Sequence, residues 1–363
     1  MQIGYKTRLA LAACTNMESF LPRAPQPLLA VVNLTENCQA RCLSCNYWHV
    51  QKANLITTKR AMALVDELVE QKVQYLRWAG GEPLLRADLF QILAHIPPNR
   101  FSKIILGTNG QLVKKFANEI NKSCISQISV SLDGLGDTQR RLRGIDFDTV
   151  WSGLKEIKRK RIKVVSVFTK HLAKDIEGLL DLCEGRGYNY DICLPSGVLP
   201  YSNTEEINLN LSEMWPSPQD VDKVLSALLR SRQISPSIAQ GARAYMVDKV
   251  YPFRHCILGY TELRITAGGD VHTTCFELGP VGNILRTPLR EILAEPSTSA
   301  LTREMYRLKC SRCMVGWQTS RVFEHPWNNV SYILKRTRGN NRQLHSGPLH
   351  PSRPPLDATP RRD

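Results

Sequence analysis

The sequence predicts an α/β protein: a partial (β/α)6 barrel followed by a small C-terminal cysteine-rich module. Two observations predict it. Short β-branched runs alternate with stretches of helical periodicity across the first 200 residues, at spacings too long for hairpins, which implies a parallel sheet. The polar and cysteine-bearing motifs also fall where predicted strands end, which is where ligands gather in parallel α/β architectures.

The elements follow in order. Leu28-Leu29-Ala30-Val31-Val32-Asn33-Leu34 reads as a buried strand that leads into a cysteine loop. Thr57 can cap a helix running to about Glu70, with Met62, Val65, Leu68 and Val69 on one face. Residues 73–78 form a second strand ending at Gly80-Gly81-Glu82-Pro83, and a short helix over 88–95 is stopped by Pro97-Pro98. Residues 103–106 are a third strand, followed by the Thr108-Asn109-Gly110 turn and a helix to about Ile120. Residues 127–132 are a fourth, ahead of Asp133-Gly134. A helix over 148–160 precedes the strand 163–168, and a helix over 174–185 precedes the strand 190–194. Six such units make an incomplete barrel over residues 28–200. Residues 201–253 read as a helical connector broken by Pro216, Pro218 and Pro236, and residues 254–322 as the cysteine-rich module. Residues 1–27 are expected to be a poorly ordered leader, and 323–363 a basic, disordered tail.

A chain of 363 residues that is 42% hydrophobic can build a real core. No run approaches the roughly 18–20 apolar residues needed to cross a bilayer. Lys6 and Arg8 before Leu9-Ala10-Leu11-Ala12-Ala13-Cys14 imitate a lipoprotein signal, but that run is shorter than the roughly 7–15 residues of a secretory core, so the cytoplasm is the expected location. The net charge of +15 is concentrated in Lys155, Lys158, Arg159, Lys160, Arg161 and Lys163 and in the tail (Lys335, Arg336, Arg338, Arg342, Arg353, Arg361, Arg362). Such a tail can bind polyanions by counterion release or simply remain solvated. Without interleaved aromatics or a binding motif the solvated reading is preferred, and neither nucleic acid nor a membrane is an expected partner.

The eleven cysteines carry more information. Cys14, Cys124, Cys183 and Cys193 are scattered, whereas seven fall in two groups with ligand-like spacing. A disulfide framework is not expected in a chain of this length. Cys38-x3-Cys42-x2-Cys45 follows the first strand directly. Three thiolates in so tight a loop can hold three irons of a cubane cluster and leave the fourth iron open. Zinc, with His49 as a fourth ligand, is the alternative that spacing alone permits.

Thr35-Glu36-Asn37-Cys38-x3-Cys42-x2-Cys45-Asn46-Tyr47-Trp48 resembles the cluster loop of the radical S-adenosylmethionine (SAM) superfamily. Gly80-Gly81-Glu82-Pro83, Thr108-Asn109-Gly110 and Ser131-Leu132-Asp133-Gly134 are similar to that family's motifs at the next three strand ends. The resemblance covers about residues 28–200. It implies a SAM-binding [4Fe–4S] cluster on Cys38, Cys42 and Cys45. It also implies that the backbone of Gly80, Gly81, Glu82 and Pro83 meets the methionyl amino group of SAM, with Asn109 close by. Ser131 and Asp133 would face the ribose, and Arg143 the cofactor carboxylate. Ser44 departs from the pattern, since many members place an aromatic before the third cysteine.

Cys256, Cys275, Cys310 and Cys313 resemble the ligands of the family's auxiliary modules, the shorter twitch form more than the two-cluster SPASM form, because no cysteine follows Cys313. A second [4Fe–4S] cluster is expected there, with zinc as the rival. Leu263 to Val271 reads as a β-hairpin across a Gly-Gly-Asp turn, which would fold Cys275 back towards Cys256. The expected activity is radical oxidation: cleavage of SAM to a 5′-deoxyadenosyl radical, hydrogen abstraction from a substrate C–H, and loss of an electron to the auxiliary cluster. Cys193, at the sixth strand's end, is a candidate hydrogen-atom donor. A flavodoxin- or ferredoxin-type electron donor is the implied partner. The alternatives are a peptide-modifying maturase and, from another class, a zinc-stabilised basic binding protein.

Overall fold

The computed structural model describes residues 4–45, 47–48, 56–195, 214–275 and 278–309. The strands are β1 (Leu29–Asn33), β2 (Tyr75–Ala79), β3 (Lys103–Thr108), β4 (Gln127–Ser131), β5 (Arg161–Val167), β6 (Asn189–Cys193), β7 (Glu262–Ile265), β8 (Asp270–His272) and β9 (Gly282–Asn283). The helices are α1 (Tyr5–Thr15), α2 (Thr58–Glu70), α3 (Leu89–His95), α4 (Ala117–Lys122), α5 (Gly136–Arg143), α6 (Phe147–Lys155) and α7 (Leu172–Gly185). They continue as α8 (Pro218–Arg230), α9 (Pro236–Met246), α10 (Leu258–Thr261), α11 (Leu289–Ala294) and α12 (Pro296–Tyr306). Among the described residues, no helix is long and apolar enough to cross a membrane.

The strands form one sheet in the order β6-β5-β4-β3-β2-β1-β7-β8-β9, parallel from β6 through β7 and antiparallel thereafter. All six predicted barrel strands are present. Their alternation explains the architecture: Ala30, Val32, Leu76, Trp78, Leu106, Ile128, Val130, Val164 and Ile192 point one way into the helix-covered core. The opposite face carries Arg77, Lys163, Asp191, Cys193 and Arg264, which are not fully buried. In a flat sheet β2 and β6 would lie about 19 Å apart, four strand spacings. Arg77 nevertheless feels the electrostatics of Cys193 and Asp191 on β6 and of Arg264 and Glu262 on β7. The sheet therefore curls, and its polar face lines a lumen. The barrel is partial and open.

Four differences from expectation have physical causes. The expected leader contains α1, whose Leu9, Ala12 and Ala13 form a second small core with Leu21, Ile257, Tyr260 and Tyr306. The Tyr306 hydroxyl donates to the Ala12 carbonyl at 2.8 Å, and the Tyr5 hydroxyl to that of Tyr260 at 2.7 Å. The predicted hairpin exists as β7–β8, but β7 also pairs in parallel with β1 and covers an edge the barrel would otherwise leave open. α6 stops at Lys155, short of the basic run in which Arg159 takes a left-handed φ of 56°. α5 is a helix between Asp133-Gly134 and α6 that the periodicity does not predict. The connector is helical in α8 and α9, each capped by a serine, while its residues 201–213 lie outside the described residues, as do 310–363 with the predicted tail.

Candidate functional site

The cysteine loop hangs between two strand ends because its backbone is hydrogen-bonded on both sides. Its first half runs beside the glycine turn after β2: Leu34 N–H donates to Ala79, Gly81 N–H to Thr35 and Glu82 N–H to Asn37, at 2.9, 2.8 and 2.8 Å. The approach is so close that a Cβ on Gly80 would stand 2.3 Å from the Thr35 carbonyl oxygen, and one on Gly81 2.2 Å from that of Asn37. This is why two glycines are required. The second half of the loop meets the end of α5, where Arg41 and Leu43 N–H donate to the Arg143 and Leu142 carbonyls at 3.1 and 2.9 Å. Cys42 is buried, and Cys38 and Cys45 are half-buried.

Side chains from the third strand end and from the end of α5 reach the sulfurs. Asn109 Nδ2 donates to Cys38 Sγ at 3.7 Å, and its Oδ1 accepts from Gln39 Nε2 at 3.4 Å. Arg143 Nη1 donates to Cys42 Sγ at 3.7 Å, while its Nε donates to Asp133 Oδ2 at 2.7 Å. The other Asp133 oxygen accepts from Val167 N–H at 2.7 Å, and the Asp133 N–H donates to Gln139 Oε1 at 2.8 Å. Asp133 thus turns inward and holds Arg143 against the cysteine loop. Burial pushes the Cys38 and Cys42 thiols up to about 11 and about 12, although the Arg143 charge opposes this at Cys42. Donors of this kind stabilise sulfur that carries negative charge.

Glu82 is fully buried and ties β2 to β3. Its oxygens accept from Thr108 Oγ1 at 2.9 and 3.0 Å, from Asn109 N–H at 2.7 Å and from Leu84 N–H at 3.1 Å. Burial still lifts its pKa to about 7. Ser131 is half-buried at the end of β4, its carbonyl accepting from Gln139 Nε2 at 3.4 Å. Pro83 starts a short 3-10 turn and is buried. The structure therefore brings Cys38, Cys42, Cys45, Gly80, Gly81, Glu82, Pro83, Asn109, Asp133 and Arg143 to one end of the barrel. Cys193 is exposed at the end of β6, on the lumen face it shares with Asp191. Cys256 and Cys275 are half-buried on either side of the β7–β8 hairpin, whereas Cys310, Cys313 and His49 lie outside the described residues. Cys183 is buried on α7 with its thiol pushed up to about 12, as suits a small apolar filler. Gln39 and Gln139 complete the site without a motif of their own to single them out.

The family model for the Radical SAM superfamily matches residues 32–183, the stretch from β1 to α7 that carries this whole arrangement. That segment is a radical SAM superfamily domain. It is 29% identical over 204 residues to Fe-coproporphyrin III synthase of Methanosarcina barkeri, spanning 54% of this chain and half of that protein. It is 27% identical over 264 residues to GTP 3′,8-cyclase of Caulobacter vibrioides, spanning 67% of this chain and 73% of that one. Among solved structures, Streptococcus suis SuiB bound to the precursor peptide SuiA superposes with a TM-score of 0.60 at 20% identity, covering 79% of this chain and 69% of that one. The family implies a [4Fe–4S] cluster and SAM. The donor set suits the cluster: three thiols on one loop, two of them already facing N–H donors. The glycine turn suits the cofactor, because its Gly81 and Glu82 N–H groups are taken by the loop, which leaves the turn's carbonyls as the groups to face an ammonium.

Proposed function

We propose that the chain generates a substrate radical and completes a net two-electron oxidation. The observation that carries this is the three-cysteine loop, hydrogen-bonded on one side to the Gly80-Gly81 turn and on the other to α5, with Asn109 and Arg143 against its sulfurs. Cys38, Cys42 and Cys45 would hold the cluster, and the carbonyls of the glycine turn the methionyl amino group. When bound, the cluster and SAM supply a reductive carbon–sulfur cleavage that yields a 5′-deoxyadenosyl radical. Arg143, fixed by Asp133 against the cluster loop, would take the cofactor carboxylate through its Nη2, which makes no hydrogen bond among the described residues. Ser131 is the residue at the fourth strand end left to face the ribose. Asp133, with both oxygens taken, positions Arg143 instead. After hydrogen abstraction, the substrate electron would pass to a second cluster on Cys256, Cys275, Cys310 and Cys313.

A peptide substrate is the second reading. The fold shared with SuiB, whose structure holds a precursor peptide, is behind it, although a fold by itself does not select a substrate. The decisive experiment is anaerobic reconstitution with iron and sulfide, then reduction in the presence of SAM. 5′-Deoxyadenosine should form, and should be absent in C38A, C42A and C45A. Wild-type protein that holds a cluster yet makes none of this product would refute the reading. Iron content should fall by about half when Cys256 and Cys275 are both replaced; an unchanged content would remove the second cluster.

A further inference from the structure

Thr274, the residue before Cys275, is unusual in two independent ways. Its φ is 72°, and among the described residues it is the one β-branched side chain in the left-handed region. That region crowds a branched Cβ, whereas glycine would hold the same turn without strain. The residue is also only 3% exposed, and its Oγ1 has no hydrogen-bond partner among the described residues. A hydroxyl withdrawn from water with nothing to donate to is unfavourable. Backbone strain and an unanswered donor on one residue point to a side chain retained for a group that binds there.

The surroundings identify the kind of group. Thr273, one residue earlier, donates its Oγ1 to Met305 Sδ at 3.1 Å, and the Cys256 N–H donates to the Tyr306 carbonyl at 3.4 Å. Tyr306 ends α12 and stands four residues ahead of Cys310 in the sequence. The segments that carry Cys256 and Cys275 therefore meet at the end of the helix that leads to the Cys310-x2-Cys313 pair. Cys256 and Cys275 are both half-buried there. Such a convergence of thiols suits a metal centre. The Thr274 hydroxyl is a donor beside it, so it suits the centre's sulfurs and not its metal.

We propose that Thr274 is a positioning residue of the second cluster, its hydroxyl donating to the Cys275 sulfur or to an adjoining sulfide, with the left-handed backbone serving to aim it. The inference rests on the reading of Cys256, Cys275, Cys310 and Cys313 as cluster ligands. Hydrogen bonds to cluster sulfur favour the reduced, more negative state, so Thr274 raises the reduction potential and makes the cluster a better electron acceptor. The test uses the full chain carrying C38A, C42A and C45A, reconstituted anaerobically so that only the second cluster can form. Its midpoint potential is read by a redox titration followed by electron paramagnetic resonance. T274V keeps the branched shape and loses the hydroxyl. Its reduced form should lose about tenfold in relative stability, which lowers the potential by about 59 mV for one electron. T274S keeps the donor and should stay near the parent. T274G fits the left-handed turn without strain and also lacks the donor, so it should show the same drop, and it decides the matter if T274V does not fold. An unchanged potential in both T274V and T274G, or an equal drop in T274S, overturns the role of Thr274. A parent that takes up zinc, or no metal, and shows no cluster signal refutes the cysteine reading and the role with it. That outcome is distinct from a cluster whose potential ignores Thr274.

Discussion

Asp133 and Arg143 form an ion pair with side chains almost wholly withdrawn from water, and the pair exists to keep a guanidinium 3.7 Å from Cys42 Sγ. Asp133→Asn leaves that charge without its partner, so it should lower unfolding stability by roughly 3–5 kcal/mol, read in urea. Asp133→Glu keeps the charge and should recover part of the loss. Glu82 sets a pH dependence of known sign. Its pKa is about 7 when folded, against about 4.3 in an unfolded chain, so between those values only the folded state keeps the proton. Its contribution to stability is complete below about pH 4.3 and is lost as pH rises towards 7. The stability of cluster-free wild type relative to Glu82→Gln should therefore fall across that window, and a flat difference would reject the assignment. Sequence motifs named Glu82, Asp133 and Arg143 but could not tell which way each side chain turns. Asp133, expected to face the ribose, has its oxygens on Arg143 Nε and Val167 N–H, a pairing that strand-end position alone does not announce.

Among elements, the strands were legible because β-branched runs with one buried face are a strong local signal. α5 was not, because Gly-Asp-Thr-Gln-Arg-Arg-Leu-Arg has a single large apolar residue, Leu142, and no hydrophobic stripe to read. It faces inward through polar groups instead: Thr138, Gln139 and Arg143 are buried alongside Leu142. The junction of the glycine turn with the cysteine loop makes the sharpest prediction at this scale. Gly81→Ala must push apart backbone now joined by the bond from Gly81 N–H to the Thr35 carbonyl. Iron bound per chain after reconstitution should drop severalfold, while Gly185→Ala, where an added Cβ meets nothing within 4 Å, should retain it. Equal iron in the two variants would mean that the loop does not depend on this contact.

At the scale of the whole molecule, two cores meet at β7. One packs the helix-covered face of the sheet, and the other joins α1 to α10 and α12 through Leu9, Ala12, Ile257, Tyr260 and Tyr306. The sequence announced the β7–β8 hairpin, but not that β7 continues the barrel, since local pattern does not name a strand's distant partner. α1 escaped for a related reason: its short apolar face gains meaning chiefly from Ile257, Tyr260 and Tyr306, far along the chain. α1 acts as a strap across the region that leads to Cys256, with the Arg307–Glu18 pair at 2.7 Å closing its far end. Leu9 is fully buried in the smaller core, so Leu9→Ala should cost about 2–5 kcal/mol locally. Because that core adjoins the sheet through α10 and β7, the loss should appear as faster amide hydrogen exchange in α10, β7 and α12, with β3, β4 and β5 protected as before. If exchange instead rose equally in β3–β5, the two cores would unfold as one unit, and the cysteine module could not loosen while the cluster loop stayed in place.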